Sequence, residues 1–202
     1  MARARVVVLV GGSGSNLQAL LDAAGRAEYP AEVVAVGADR ADIPALRRAE
    51  DAGIPTFVVD VAHFDTRLGW DAALTEHVAE FSPDLVVSAG FMKLAGSTFL
   101  ATFGGRFINT HPALSPSFPG RHGPRDALAY GVKVSGCTIF LVDDGVDTGP
   151  ILAQTAVPVL EGDSEASLHE RIKEQEHQLL VRTVAELIRR PHRVEERKVV
   201  WS

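Results

Sequence analysis

The sequence predicts a mostly parallel, doubly wound α/β sheet that ends in an antiparallel hairpin and a long C-terminal helix. Three observations carry this expectation. Short β-branched runs alternate with helix-period segments through the first half of the chain. Two later runs, Val134–Val142 and Ile151–Val157, are joined directly by "DDGVDTGP", which leaves no room for a helix. From Ser164 to Arg190 an amphipathic helical spacing then persists, with Pro191 past its end.

In chain order, Arg5–Val10, Glu32–Val36, Thr56–Val59, Leu85–Ala89 and Arg106–Asn109 read as strands. Helical segments lie between them near Asn16–Ala27, Pro44–Ala52, Thr66–Phe81 and Ser97–Phe103. Asp42 and Pro44 open the second of these helices and Gly53 closes it. Near-continuous apolar strands of this kind belong to a parallel sheet covered on both faces. The two runs after Gly131 pair as a hairpin and make the sheet mixed. Ser164 is a candidate N-cap for the long helix, whose Leu168, Ile172, Leu179, Leu180, Val184 and Leu187 form a docking face. The tail "RVEERKVVWS" adds a small strand pair.

The 202 residues fit one domain without internal repeats or low-complexity linkers. Apolar residues are 46% and charged residues 23%, the balance of an ordinary globular protein. No apolar run approaches the roughly 18 residues of a membrane span. The opening "MARARVVVLVGGSG" imitates a signal peptide, but Val6–Val10 is too short for its apolar region and opens into glycines. A formal charge of −6 without a basic stripe argues against nucleic acid as the main partner. The single cysteine, Cys137, forms no intramolecular disulfide and fits a cytoplasmic location.

Three stretches, with the histidines, bear on chemistry. In "VVVLVGGSGSNLQALL", Gly11, Gly12, Ser13, Gly14, Ser15 and Asn16 join a strand to a helix, an arrangement that seats anions. Leu17 stands where a dinucleotide fingerprint needs glycine, and the lysine of a nucleoside-triphosphate loop is missing, so the loop suits a smaller anion such as one phosphate. The alternative is a tight turn capped by Ser15 or Asn16. "VDDGVDTGPIL" crowds Asp143, Asp144 and Asp147, too closely for an EF-hand; turn chemistry alone would use all three in the loop. The seven histidines form no i, i+4 pair, and no Cys/His cluster exists, so no metal is expected; His77 and His169 read as surface or satisfied core residues. Finally, "FINTHPALSPSFPG" ends a parallel strand in Asn109 and His111. Pro112 biases His111 to an extended backbone, Asn109 points to the same side, and open α/β sheets bind ligands at such strand ends. The alternative is a structural histidine.

"GSGSNLQALL", "SAGFMKLA", "FINTHPALSPSFPG", "GCTIFLVDDGVDTGPIL" and "RIKEQEH", in this order and spacing, resemble the phosphoribosylglycinamide formyltransferase family, from about Arg5 to about Arg190. The resemblance implies the formyltransferase fold in a single domain over 1–202, with a phosphate-binding half (1–105) and a catalytic and folate-binding half (106–190). It implies 10-formyltetrahydrofolate as co-substrate and glycinamide ribonucleotide as formyl acceptor in purine biosynthesis, in a monomer or homodimer. Matched residue by residue, the catalytic trio is Asn109, His111 and Asp147. Gly14, Ser15, Asn16, Lys173 and Glu176 match the phosphoribosyl side, and Arg67, Met92, Lys93, Val142 and Val146 the folate side. Asn109 and His111 then stabilise charge on the formyl oxygen, and Asp147 relays the proton.

Two positions depart from the family pattern. Lys93 stands where arginine is common, replacing a bidentate fork by a point charge. Arg121-His122-Gly123-Pro124 follows "FPG" where many relatives carry a second histidine, which leaves His122 alone. A cis Ser115–Pro116 peptide also fits, since relatives turn tightly there. Methionyl-tRNA formyltransferase and formyltetrahydrofolate hydrolase share the core, but the acidic chain ending at Ser202 fits neither the tRNA-binding addition of the first nor the N-terminal regulatory domain of the second. A phosphosugar-binding module without catalysis is the rival from another class, and the intact trio argues against it.

Overall fold

Both faces of the first strand, β1 (Ala4–Val10), are covered, and this organises the molecule. The computed structural model describes residues 2–201. Val6, Val8 and Val10 enter one core with α1 (Ser15–Ala24), α2 (Pro44–Asp51) and α6 (Glu165–Arg189). Val7 and Leu9 enter a second core with α3 (Arg67–Glu80) and α4 (Ser97–Phe103). A strand alternates its side chains, so a run that is apolar at every position requires two cores.

The described residues form one nine-stranded sheet. Its order is β3 (Thr56–Val58), β2 (Ala31–Ala38), β1, β4 (Leu85–Ala89), β5 (Phe107–His111), β6 (Val134–Leu141), β7 (Ile151–Pro158), β9 (Lys198–Trp201) and β8 (His192–Glu195). The first five are parallel, whereas β6 is antiparallel to both β5 and β7. The tail pair β8–β9 is antiparallel and joins β7 through Ile151 and Lys198. This is the expected mostly parallel fold with its C-terminal hairpin and helix.

From β1 the chain winds outward through β2 and β3, then returns to the other side of β1 at β4. The direction of winding reverses there, and the carboxyl ends of β1 and β4 open a crevice. Gly11 and Gly90 face each other across it. A Cβ on Gly11 would lie 2.5 Å from the Gly90 carbonyl oxygen, so the approach requires glycine.

Local chemistry mostly matches the sequence reading. Ser164 caps α6 by accepting from the Ser167 amide, and the Ser167 hydroxyl accepts in return from the Ser164 amide. The Ser115–Pro116 peptide is cis. Two features differ. The start of α1 uses Gly14 at φ 75° as its N-cap, with neither Ser15 nor Asn16 capping it; the Asn16 amide turns instead to a buried carboxylate, described below. Helix α5 (Gly123–Tyr130) was not anticipated, because Gly123 and Pro124 read as loop; Pro124 in fact occupies the first turn, where its missing N–H costs nothing. No helix among the described residues is long and apolar enough to cross a membrane.

Asp71 fixes a segment that lines the crevice. This carboxylate on α3 is 1% exposed. Its oxygens accept from the backbone amides of Gly96 at 2.6 Å, Thr98 at 2.9 Å and Phe99 at 3.2 Å, so it caps α4 from another helix. A buried charge satisfied by backbone donors at the positive end of a helix is worth more than an ordinary cap. Asp71→Ala should therefore cost about 2–3 kcal/mol, since the amides lose a charged acceptor. Urea unfolding of the variant against wild type measures this; a loss below 0.5 kcal/mol, on the order of an ordinary surface change, would refute the assignment.

Candidate active site

The glycine loop follows β1, and its carbonyls are held by the protein. Gly11 O accepts from the Arg40 guanidinium at 2.9 Å, Gly12 O from the Ala45 amide at 3.1 Å and Ser13 O from Arg48 Nε at 2.9 Å. The first-turn N–H groups of α1 have no intrahelical acceptor, so they remain donors at the end of the crevice. Leu17, where a dinucleotide loop would need glycine, is buried in the core.

Asn109 and His111 share one side of β5 with Phe107, which belongs to the α3/α4 core. The loop after β6 folds over this side. His111 is 3% exposed, and its Nδ1 lies 3.5 Å from Asp147 Oδ2. Its Nε2 lies 2.9 Å from the Phe118 carbonyl, an acceptor, so that nitrogen carries a proton. Asp147 Oδ2 also accepts from the Gly120 amide at 2.7 Å, which ties the two loops together. Of the other loop carboxylates, Asp143 serves the turn, accepting from the Gly145 amide and the Thr148 hydroxyl. Gly149 completes it: a Cβ there would lie 1.7 Å from Leu141 O.

Thr110 points the other way, toward α1 and α6. Asn16 Nδ2 lies 3.3 Å from Thr110 Oγ1 and donates to Glu176 Oε2 at 2.8 Å. Glu176 is 4% exposed. Burial raises its carboxyl above the usual range, while Asn16, Thr110 and the Lys173 charge pull it back.

These groups line one cleft of about 640 Å³. It gathers Asn109, His111 and Asp147 with Gly14, Ser15, Asn16, Lys173 and Glu176, and with Met92, Lys93, Val142 and Val146. Arg67 does not line it: its guanidinium lies 4.0 Å over the Trp70 ring and donates to Leu94 O, supporting the β4–α4 segment from behind. Lys93 is at the wall, and its ammonium meets the buried Asp39 at 3.2 Å. His122 is exposed and precedes α5 without lining the cleft. Met92, Leu94 and Val146 form an exposed apolar rim. The sequence reading missed Arg40, Arg121 and His169, all at the wall. His169 could have been found from its i, i+4 spacing to Lys173 on an expected helix.

The chain has relatives among known proteins. Residues 4–184 match the formyl transferase family. The chain belongs to that family. Phosphoribosylglycinamide formyltransferase of Mycobacterium tuberculosis is 59% identical over 186 residues, which cover 92% of this chain and 86% of the relative. The Escherichia coli enzyme of the same description is 41% identical over 172 residues, 85% of this chain and 81% of that one. Among solved structures, glycinamide ribonucleotide transformylase 1 from Symbiobacterium toebii superposes with a TM-score of 0.96 at 42% identity, covering 98% of this chain and 94% of the other. This chain is thus a formyltransferase with the fold of that enzyme group.

Burial of Glu176 has a cost that pH reveals. A carboxyl whose folded pKa is raised stabilises the fold below its unfolded value, and that contribution is lost as pH rises through the folded value. Glu176→Gln keeps the shape without the charge. The ligand-free variant should gain stability over wild type as pH rises from about 4 to 8, with the difference vanishing at the acid end. Denaturant unfolding across that range measures it, and a difference independent of pH would count against the buried charge.

Proposed function

We propose that this formyltransferase moves the formyl group of 10-formyltetrahydrofolate to the primary amine of glycinamide ribonucleotide, a step of purine biosynthesis. The observation that carries the reading is the meeting, in one cleft, of a strand-to-helix anion seat, an amide–imidazole–carboxylate cluster and an apolar rim.

The seat suits the phosphate. Amides at the start of α1 and the Lys173 ammonium supply donors and positive charge, and the Glu176 carboxylate accepts from sugar hydroxyls. Residues 1–105 supply the glycine loop of the phosphate end, which Lys173 and Glu176 complete, and residues 106–190 supply the catalytic groups. The exposed apolar side chains of Met92, Leu94 and Val146, with Val142, fit the flat ring system of the folate, whose bound form supplies the electrophilic formyl carbon. Arg67 acts on that side by holding Leu94. Lys93 offers its charge to the folate's carboxylates in competition with Asp39.

Attack by the amine builds negative charge on the formyl oxygen. Asn109 lines the cleft with an amide that meets no protein partner among the described residues, so it is the donor free to meet that charge. His111 is held between Phe118 O and Asp147, and it joins as a second donor when the Phe118 contact opens. Asp147, one oxygen on the Gly120 amide, accepts the proton that the amine must lose and relays one to the folate nitrogen as its bond to the formyl carbon breaks, releasing tetrahydrofolate. No covalent enzyme intermediate is needed, and burial, followed by the Glu176 charge, pushes the nearby Cys137 thiol up to about 12, too high for a nucleophile.

Purified protein mixed with both substrates should consume 10-formyltetrahydrofolate in an amine-dependent way. Asn109→Ala should lower kcat by about 100–1,000-fold, the cost of one oxyanion donor, with a smaller change in KM. Asp147→Asn should abolish turnover. Consumption without the amine would make the protein a hydrolase instead, and an Asn109→Ala effect confined to KM would remove that residue from the transition state.

A further inference from the structure

Helices α1 and α6 lie side by side and run in the same direction. At the start of α1 Asn16 meets Glu176, midway along α6; past the end of α1 the Tyr29 hydroxyl donates to Val181 O at 2.9 Å, and Glu28 O accepts from Arg189 at the end of α6 at 2.9 Å. Helix α6, however, begins at Glu165, about three turns or roughly 16 Å before it reaches the level of α1. Those extra turns stand beyond the glycine loop along the cleft. Glu165, His169, Lys173 and Glu176 all line it, spaced three or four residues apart on one stripe of the helix. An anion seated at the start of α1 therefore lies alongside Lys173, with His169 one turn further out.

We infer that His169 is, with Lys173, part of the recognition of the substrate's dianionic phosphate, and that it takes up a proton as the anion binds. The inference rests on the reading above that the glycine loop receives this phosphate. The charges that act on His169 come from its own helix: Lys173, Glu170 and Glu165. The glycine loop brings only Ser13, Ser15 and Asn16, which do not titrate. On α5, which flanks α6, Arg125 and Asp126 pair with each other at 2.9 Å. Arg121, His111 and Asp147 share the cleft.

Geometry and charge agree. Partial burial, and then the Lys173 charge, hold the imidazole below its ordinary value, so it is uncharged at neutral pH in the free protein. Lys173 is itself paired with Glu170, leaving less of its charge for a ligand. A dianion arriving beside the pair reverses the local field and favours the imidazolium. Binding then takes up a proton: affinity rises as pH falls through the bound-state value and levels off below the free-state value.

Inorganic sulfate tests this, because it stays a dianion between about pH 5.5 and 8 and so removes the titration of the phosphate itself. Its affinity is read from its stabilisation of the protein against thermal unfolding, at constant ionic strength with chloride as the balancing salt. Wild type should bind sulfate about tenfold more tightly at the acid end, one pKa unit of coupling being tenfold. His169→Gln should lose that pH dependence, and its KM for glycinamide ribonucleotide at the acid end should rise several-fold more than its kcat falls. Lys173→Ala should weaken sulfate at every pH. If Lys173→Ala weakens sulfate but His169→Gln keeps the wild-type pH profile, the role of His169 is refuted while the phosphate seat stands. If sulfate binding ignores Lys173→Ala, the phosphate seat itself is refuted and this inference with it.

Discussion

The buried carboxylate of Glu176 is the joint on which the site depends. It comes from α6, accepts from Asn16 at the start of α1, and is linked through Asn16 and Thr110 to β5. Three elements far apart in sequence are thereby held at one level. An uncompensated charge in that position would be costly, and the amide, hydroxyl and nearby ammonium reduce the cost without removing it. The chain keeps a group that opposes folding at the wall of the cleft.

Thr110 ties this joint to the strand that carries Asn109 and His111. On an extended strand, neighbours point to opposite sides, so the residue that meets Asn16 lies between Asn109 and His111, which face the cleft. The same strand is thus braced on its α1/α6 side and lines the cleft on its α3/α4 side. The second brace is the loop pair: Phe118 O and Asp147 grip the two nitrogens of His111, and the Gly120 amide grips Asp147. An imidazole fixed at both nitrogens has its ring plane set before any ligand arrives.

The cleft wall formed by Phe91 to Ala95 is organised by groups that do not themselves reach the cleft. Asp71 caps α4 through the Gly96, Thr98 and Phe99 amides, Arg67 holds Leu94, and Asp39 meets Lys93. The segment from Phe91 to Ala95 is therefore anchored at both ends and along its length. Two cations expected to greet a ligand directly are already engaged by the protein. Their charges act through that anchoring first, and a ligand carboxylate must compete for Lys93 with a carboxylate already in place.

Much of this was legible in the residues. Apolar runs without alternation required a two-sided parallel sheet, the direct joint between Val134–Val142 and Ile151–Val157 required a hairpin, and Ser164 announced the long helix, because each depends on interactions within a few residues. Asn109, His111 and the glycine loop could be singled out for the same reason: strand alternation and helix-terminus donors are local properties. Asn16 looked like a cap since its true partner is 160 residues away. His169 is legible only through its i, i+4 spacing to Lys173, whose place comes from the resemblance, since helix periodicity alone does not say which side of α6 meets a cleft, and Arg67 looked ligand-facing because its stacking on Trp70 and bond to Leu94 are tertiary. The sequence by itself determined the elements, their two-sided burial and the chemical kit. Tertiary structure alone decided which kit members meet, since a side chain's partner across the fold is set by the packing of helices on a twisted sheet and leaves no periodic trace in the chain.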